Sequence, residues 1–283
     1  MLSAAVRTEV ERHTGPIERL APVGGGDIAD AWRLDAERGR FFLKRGDGAA
    51  EAAGLAALGT AAAGTGLRVP GVVHVSSGLL LLPWIDRGRA DRAYWSRFGE
   101  ALAALHRKPP GHARRYGFDA DNFIGATPQQ NAWMDDWVAF FRQRRLEPQI
   151  ARARRGRRWP SAWDAPASRL LDRLGDWLPA TPQPSLVHGD LWSGNHLPGS
   201  DGTPWLIDPA VYVGHREVDL AMSELFGGFD RAFYEAYERA WPLEPGYPER
   251  REIYNLYHLL NHLNLFGAGY AASVERALRR LAG

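Results

Sequence analysis

Between Leu186 and Pro209 the chain reads LVHGDLWSGNHLPGSDGTPWLIDP, and three of its side chains have the types and spacing for chemistry on a phosphate. Leu186 and Val187 end a strand, and His188 to Gly194 is a polar loop. His196 to Pro198 is a brief strand, Gly199 to Gly202 a turn, and Trp205 to Ile207 the returning strand. Closing that hairpin sets Asn195 opposite Asp208, with Asp190 five residues earlier on the same loop. Two carboxylates facing one cleft repel unless a cation lies between them, and an all-oxygen ligand set suits Mg²⁺. Phosphoryl transfer uses one carboxylate to orient and deprotonate a hydroxyl, and an Asn with an Asp to hold metal on nucleotide phosphates. The rival reading is a polar turn whose acids cap backbone N–H groups. Three such groups on one hairpin speak against it.

The spacing Asp190-x-x-x-x-Asn195 is that of the kinase catalytic loop, and Asp208 stands where the metal-binding aspartate of that machinery stands. Longer stretches narrow the comparison: HGDLWSGN, then IDPAVYVGHREVDLAMSELFGGF, then LYHLLNHLNLFG. Together they resemble the fructosamine kinase (ketosamine 3-kinase) family, from about Gly24 to Tyr270. The resemblance implies an α+β protein-kinase-like fold in two lobes, related to the aminoglycoside phosphotransferases. Residues 1–85 would form a nucleotide-binding lobe with a small antiparallel sheet and a helix. Residues 86–283 would form a mainly helical catalytic and substrate lobe. It implies ATP and Mg²⁺ as cofactors and phosphorylation at O3 of a ketosamine, free or protein-bound, as a step in deglycation.

The elements upstream must then position the nucleotide. Ile17 to Val23 and Ile28 to Leu34 read as a hairpin around Gly24, Gly25, Gly26 and Asp27. Glycines there let backbone N–H groups approach phosphate oxygens, although three glycines also make a plain flexible turn. Asp35 to Arg40 reads as a polar turn. Phe41-Phe42-Leu43-Lys44 is a strand whose lysine either snorkels to water or, in a kinase-like lobe, meets the phosphates. Its partner would be Glu51, the one acid of the Ala-rich helix 49–63; the family pattern Glu-x-x-Gly-Leu matches Glu51, Gly54 and Leu55. A Glu in a first helical turn is also what the helix dipole favours. Val72 to Val75 and Leu79 to Ile85 complete the sheet. Pro83, Trp84 and Ile85 leave it as a hinge, where the Pro83 carbonyl and the Ile85 N–H can meet an adenine edge; Pro83 has no N–H to offer.

Helices are expected at 91–107, 133–151, 161–178, 219–226, 230–240, 249–266 and 271–281. The loop 109–131 reads as a pocket wall or a plain connection, with Asn122, Gln130 and Asn131 suited to sugar hydroxyls. It holds Asp119 and Asp121 against His112, Arg114 and Arg115, which is no basket for a polycation. Trp192 is a candidate wall for the sugar, or a core aromatic. His188 reads as a brace for the loop, and Asp219 as a structural acid bonding loop N–H groups. Residues 211–216 read as a loop. His258 and His262 have the i, i+4 spacing of a zinc pair, but their apolar neighbours favour a packed helix. The run Arg152 to Arg158 reads as a solvated, poorly ordered connection.

Composition bounds these expectations. The 283 residues are 45% hydrophobic and 24% charged, ordinary for a folded globular chain. A net charge of +2 argues against nucleic acid as the main partner. With no cysteine there is no thiol nucleophile, disulfide or zinc thiolate. No apolar run is long enough for a membrane span, and residues 1–15 lack the apolar core of a signal peptide. The expectation is a cytoplasmic, monomeric enzyme. The other functions open at this point are a kinase of the aminoglycoside or choline phosphotransferase type and a non-catalytic nucleotide-binding module.

Overall fold

The computed structural model describes residues 2–24, 31–111 and 115–282. Helix α1 (Ala4–Thr14) is capped by Ser3, whose side chain accepts the Val6 N–H. It leads into β1 (Ile17–Pro22), β2 (Ala31–Ala36), β3 (Gly39–Arg45), α2 (Ala49–Ala62), β4 (His74–Ser76) and β5 (Leu79–Pro83). The strands form one antiparallel sheet in the order β1-β2-β3-β5-β4. The unbroken run Leu79 to Leu82 follows from burial on both sides of the sheet. Leu79 and Leu81 pack with Val10 of α1, and Leu80 and Leu82 with Ala52 and Leu55 of α2. The polar segment 35–40 is not a turn. Asp35 pairs with Arg40 in the ladder, leaving only Glu37 and Arg38 to reverse the chain, because charged side chains fit the exposed face of a hairpin.

Beyond the sheet the chain is mainly helical. Asp91 caps α3 (Arg92–Arg107) by accepting the Tyr94 N–H at 2.7 Å. The connection that follows contains a small hairpin, β6 (Asn122–Ile124) and β7 (Thr127–Gln129). The next helix is a composite: α4 (Trp137–Phe140) widens into a π-helical stretch over residues 141–146 and resumes as α5 (Glu147–Arg155). It starts later than position 133 because Met134 bridges to Tyr116 and Asp136 supplies the cap. It ends later than 151 because Arg152, Arg154 and Arg155, the first part of the arginine run, belong to it. Arg154 pairs with Asp164, and Arg158 donates to the Asn264 carbonyl, so this run is anchored and is no loose connection.

The expected helix over 161–178 is a shorter α6 (Asp164–Asp172) flanked by 3₁₀ turns. Strands β8 (Pro184–Val187), β9 (His196–Pro198), β10 (Pro204–Leu206) and β11 (Tyr212–His215) follow. Strand β11 lies where a loop was expected, and it pairs antiparallel with β8. All four of its residues are buried, so no alternation marked it in the sequence. Helices α7 (Glu217–Leu225), α8 (Arg231–Ala240), α9 (Tyr247–Phe266) and α10 (Ala271–Ala282) close the chain. None of the helices among the described residues is long and apolar enough to cross a membrane. One aromatic core joins α3 to α8 through Tyr94, Phe98 and Phe233, and a second surrounds Trp137, Tyr254 and Tyr257.

Candidate active site

The hairpin β9–β10 closes as its sequence suggests. Ile207 donates its N–H to the Asn195 carbonyl at 3.1 Å, which brings Asn195 beside Asp208. The Asn195 amide nitrogen donates to the Asp190 carbonyl at 2.9 Å and its carboxylate at 3.2 Å, and lies 3.4 Å from the Asp208 carbonyl. That leaves Oδ1 as the Asn195 atom suited to a cation. Asp208 has φ +53°, a left-handed conformation that few side chains other than Asp and Asn accept. Its carboxylate takes a 2.7 Å hydrogen bond from Lys44 Nζ, and the same ammonium donates to Glu51 at 2.7 Å. The sheet, the Ala-rich helix and the catalytic hairpin therefore meet at one ammonium.

Helix α2 reaches this point because Gly54 lets it close on the chain just past Asp208. A Cβ at position 54 would lie 3.3 Å from Pro209 and from Val211. Burial works against the Lys44 charge, but Asp208 and Glu51 outweigh it and raise its pKa. Burial and the Asp208 charge raise that of Glu51, against the pull of Lys44. Burial, with Asp208 nearby, pushes Asp190 up to about 7. Two carboxyl groups thus share one lysine, and a third, Asp190, lies near Asp208 with no cation of its own among these contacts. Such a deficit of positive charge, together with the amide oxygen of Asn195, fits a hard divalent cation such as Mg²⁺.

Beneath the loop, Asp219 near the start of α7 accepts the backbone N–H groups of His188 at 2.7 Å and Gly189 at 2.9 Å, with His106 Nε2 at 3.1 Å. Asp219 and His106 are both fully buried. Burial opposes the Asp219 charge, yet the His106 hydrogen bond, its field and those N–H donors hold the pKa below the ordinary carboxyl value. His106 Nδ1 in turn meets the Tyr237 hydroxyl at 2.8 Å. His188 spans the loop, with Nε2 on the Ile207 carbonyl at 2.9 Å and Nδ1 accepting from the Asp190 N–H at 3.3 Å. That pattern is a neutral imidazole, and burial lowers its pKa.

The sequence model of the family described as fructosamine kinase matches residues 2–282 of this chain. The chain belongs to the fructosamine kinase family. A probable ketoamine kinase from Synechocystis is 42% identical, the match covering 97% of this chain and 95% of that protein. A chloroplastic protein-ribulosamine 3-kinase from Arabidopsis thaliana is 37% identical over 91% of this chain and 80% of its own length. A crystal structure from Thermobifida fusca, provisionally described as a fructosamine-3-kinase, has 30% identity and a TM-score of 0.88, covering 99% of each chain. The aminoglycoside phosphotransferase APH(4)-Ia superposes with a TM-score of 0.67 at 16% identity, over 99% of this chain and 98% of that one, a likeness of fold alone. The fold is protein-kinase-like.

The other expected site residues of this fructosamine kinase family member fall out unevenly. Gly24 follows β1 with open space around it, whereas Gly25, Gly26 and Asp27 lie outside the described residues, as do His112 and Arg114. The Trp84 N–H is spent on the Arg40 carbonyl at 3.0 Å, and its ring carries Arg33. The same ladder alternation turns the Pro83 carbonyl away from β3. Trp192 is half-buried, its ring folded over Gly194.

Asn122 departs from expectation. It is buried, donating to the Val211 carbonyl at 2.8 Å, while its oxygen accepts from Gln129 at 2.8 Å and Asn131 at 2.9 Å. Its oxygen is thus committed inside the fold, while its N–H ties the β6–β7 hairpin to the chain after Asp208. Asn131 holds Arg145, a fully buried guanidinium stacked 4.0 Å from the Tyr212 ring. Nothing in the sequence marked Arg145, His106 or Tyr237, since each reads as an ordinary helical residue.

Proposed function

We propose that this chain transfers the γ-phosphoryl group of ATP to the O3 hydroxyl of a ketosamine sugar, a fructosamine or ribulosamine adduct of an amine, as a step in deglycation. The observation that carries the reading is the single cleft in which Asp190, Asn195 and Asp208 meet the Lys44–Glu51 pair, in a chain 42% identical to a ketoamine kinase. Asp190 accepts the proton of the acceptor hydroxyl. The O3 oxygen of the sugar then bonds to the γ-phosphorus as the bond to the β-phosphate oxygen breaks and ADP leaves. The raised pKa of Asp190 suits a base that must take a proton near neutral pH. Lys44, held by Glu51, orients the phosphates, and Gly24 to Asp27 cover them. The Pro83 carbonyl and the Ile85 N–H meet the adenine beside Trp84.

Asn195 Oδ1 and the Asp208 carboxylate would hold Mg²⁺, which supplies charge neutralisation on the phosphates. Trp192 walls the sugar. One chain suffices for this chemistry, so we take the protein to act as a monomer, with the nucleotide lobe at 1–85 and the catalytic lobe at 86–283. A polycationic acceptor such as an aminoglycoside is disfavoured, since the 111–131 loop carries only Asp119 and Asp121 against His112, Arg114 and Arg115, and both acids already hold donors. Asp119 accepts from the Trp133 indole at 3.2 Å and Asp121 from the Asn131 N–H at 2.8 Å.

The test is mass spectrometry of a glycated lysine derivative incubated with enzyme, ATP and Mg²⁺. A phosphate adduct followed by release of the free amine is expected. Efficient turnover of an aminoglycoside with no phosphate on the ketosamine would overturn the acceptor and leave the fold untouched.

A further inference from the structure

Two stretches that carried the sequence resemblance, the segment Phe226 to Phe229 and the end of α9, meet in space at a place the reaction above does not use. Phe226 and Phe266 are 42% and 47% exposed, unusual for phenylalanine. They do not stand singly. The His262 ring lies 4.8 Å from Phe226, 5.4 Å from Phe266 and 5.0 Å from Tyr270, and Phe266 lies 6.3 Å from Tyr270. Four rings from α7, α9 and the turn after α9 therefore form one accessible aromatic pad. Pads of this kind on a folded surface commonly mark where something binds.

The pad is continuous with the catalytic loop. A Cβ at Gly228 would sit 2.6 Å from the Ser193 Cβ, so this turn lies directly against the loop that carries Asp190 and Trp192. The inner ring of the same segment, Phe229, packs 5.0 Å from His196, the neighbour of Asn195. One side of the segment thus braces the hairpin bearing the reactive groups, while Phe226 faces outward beside it. A bound sugar has to project its amine-linked substituent out of the cleft, and the half-buried Trp192 stands on this rim.

We propose that Phe226, His262, Phe266 and Tyr270 form the subsite for the amine-bearing part of the acceptor, the alkyl stem and secondary ammonium of a glycated lysine side chain. The inference rests on the ketosamine reading above. Methylenes lie well on ring faces, and an ammonium is attracted to the negative face of an aromatic ring. The pad accordingly sets preference for the aglycone and leaves the sugar and nucleotide ends of the reaction alone.

The experiment compares two acceptors, fructosyl-lysine within a short peptide and 1-amino-1-deoxyfructose, which has no alkyl stem, on wild type and on a Phe226→Ser/Phe266→Ser variant. For the peptide adduct KM is expected to rise about tenfold, the order of one lost aromatic contact. The kcat, the KM for ATP and the KM for the stem-less acceptor should stay within about twofold. Both side chains are exposed, so the variant should keep the wild-type Tm. An equal rise for both acceptors, or no rise, overturns the inference. So does a wild-type dimer by size exclusion that the variant dissolves, since the pad would then cover a second copy of this chain. If wild type phosphorylates neither ketosamine, the functional reading itself fails and this inference with it.

Discussion

Asp190 carries a conflict between stability and chemistry. Burial and the Asp208 charge raise its pKa to about 7, above its ordinary value, so the folded state holds a proton that the unfolded state gives up. Stability from this group is full below about pH 4 and is lost as pH climbs toward about 7. Asp190→Asn removes that loss. In nucleotide-free protein the variant's Tm should exceed that of wild type above pH 7, and the difference should shrink toward pH 4, as a scanning calorimetry series would read. Turnover should meanwhile fall by roughly 10²–10⁴-fold, because the hydroxyl loses its base. Wild-type kcat/KM should rise with pH through the ionisation of Asp190. A variant with wild-type turnover on a good acceptor would remove Asp190 from this role.

At the scale of elements, α7 fixes the catalytic loop through one side chain. Asp219 collects two loop N–H groups and the His106 imidazole in a fully buried position. Asp219→Ala leaves those donors without a partner, which should cost about 3–5 kcal/mol, the range for breaking a buried charged network. Denaturant unfolding should register that loss. The loop itself is tight: Gly189 has φ +81°, and a methyl there would overlap the Ala210 carbonyl oxygen. Gly189→Ala should therefore lower kcat far more than it raises the KM for ATP, because it moves the base and spares the Lys44 end of the cleft. Equal effects on both constants would mean that the loop and the nucleotide site shift as one body.

Across the whole molecule, the sheet and the helical part are tied by backbone as well as by side chains. Arg68 donates to the Pro204 carbonyl and accepts from the Leu206 N–H, each at 2.9 Å, and Ser200 donates to the Asp86 carbonyl at 2.9 Å. The Lys44–Asp208 pair adds a contact at the cleft floor, and Arg40 pairs with Asp86 across the hinge. A ligand bridging the same gap should then report on both parts at once. ATP with Mg²⁺ should bind at least about tenfold tighter than ATP alone, since the cation offsets the clustered carboxyl groups of Asp190, Asp208 and Glu51, of which Lys44 meets only two. Asp208→Asn should abolish that dependence. Titration calorimetry with and without Mg²⁺ measures it, and equal affinities would discard the metal ligands named here.

The sequence by itself determined much of the local chemistry. Asp190, Asn195 and Asp208 lie on one short hairpin, so their meeting is a matter of turn residues and register over 24 positions, which local rules reach. The Lys44 strand, the Glu51 helix and the bracing roles of His188 and Asp219 were legible for similar reasons: each sits at a strand or helix end with a recognisable cap or motif. Tertiary structure decided the rest. Asn122 had the chemistry for a sugar hydroxyl, and only its tertiary partners committed it to the interior, the Val211 carbonyl taking its N–H and Gln129 and Asn131 its oxygen. His106 and Arg145 read as unremarkable helical residues until chain more than a hundred positions from His106, and Asn131 with the Tyr212 ring for Arg145, supplied their partners. Strand β11 carries no alternation because it is buried on every side. Phe226 and Phe266 look like core residues in sequence; that they stay exposed and meet as a pad is fixed by where α7 and α9 end. Local pattern records what a residue is able to do, while long-range packing selects which of its groups remain available to do it.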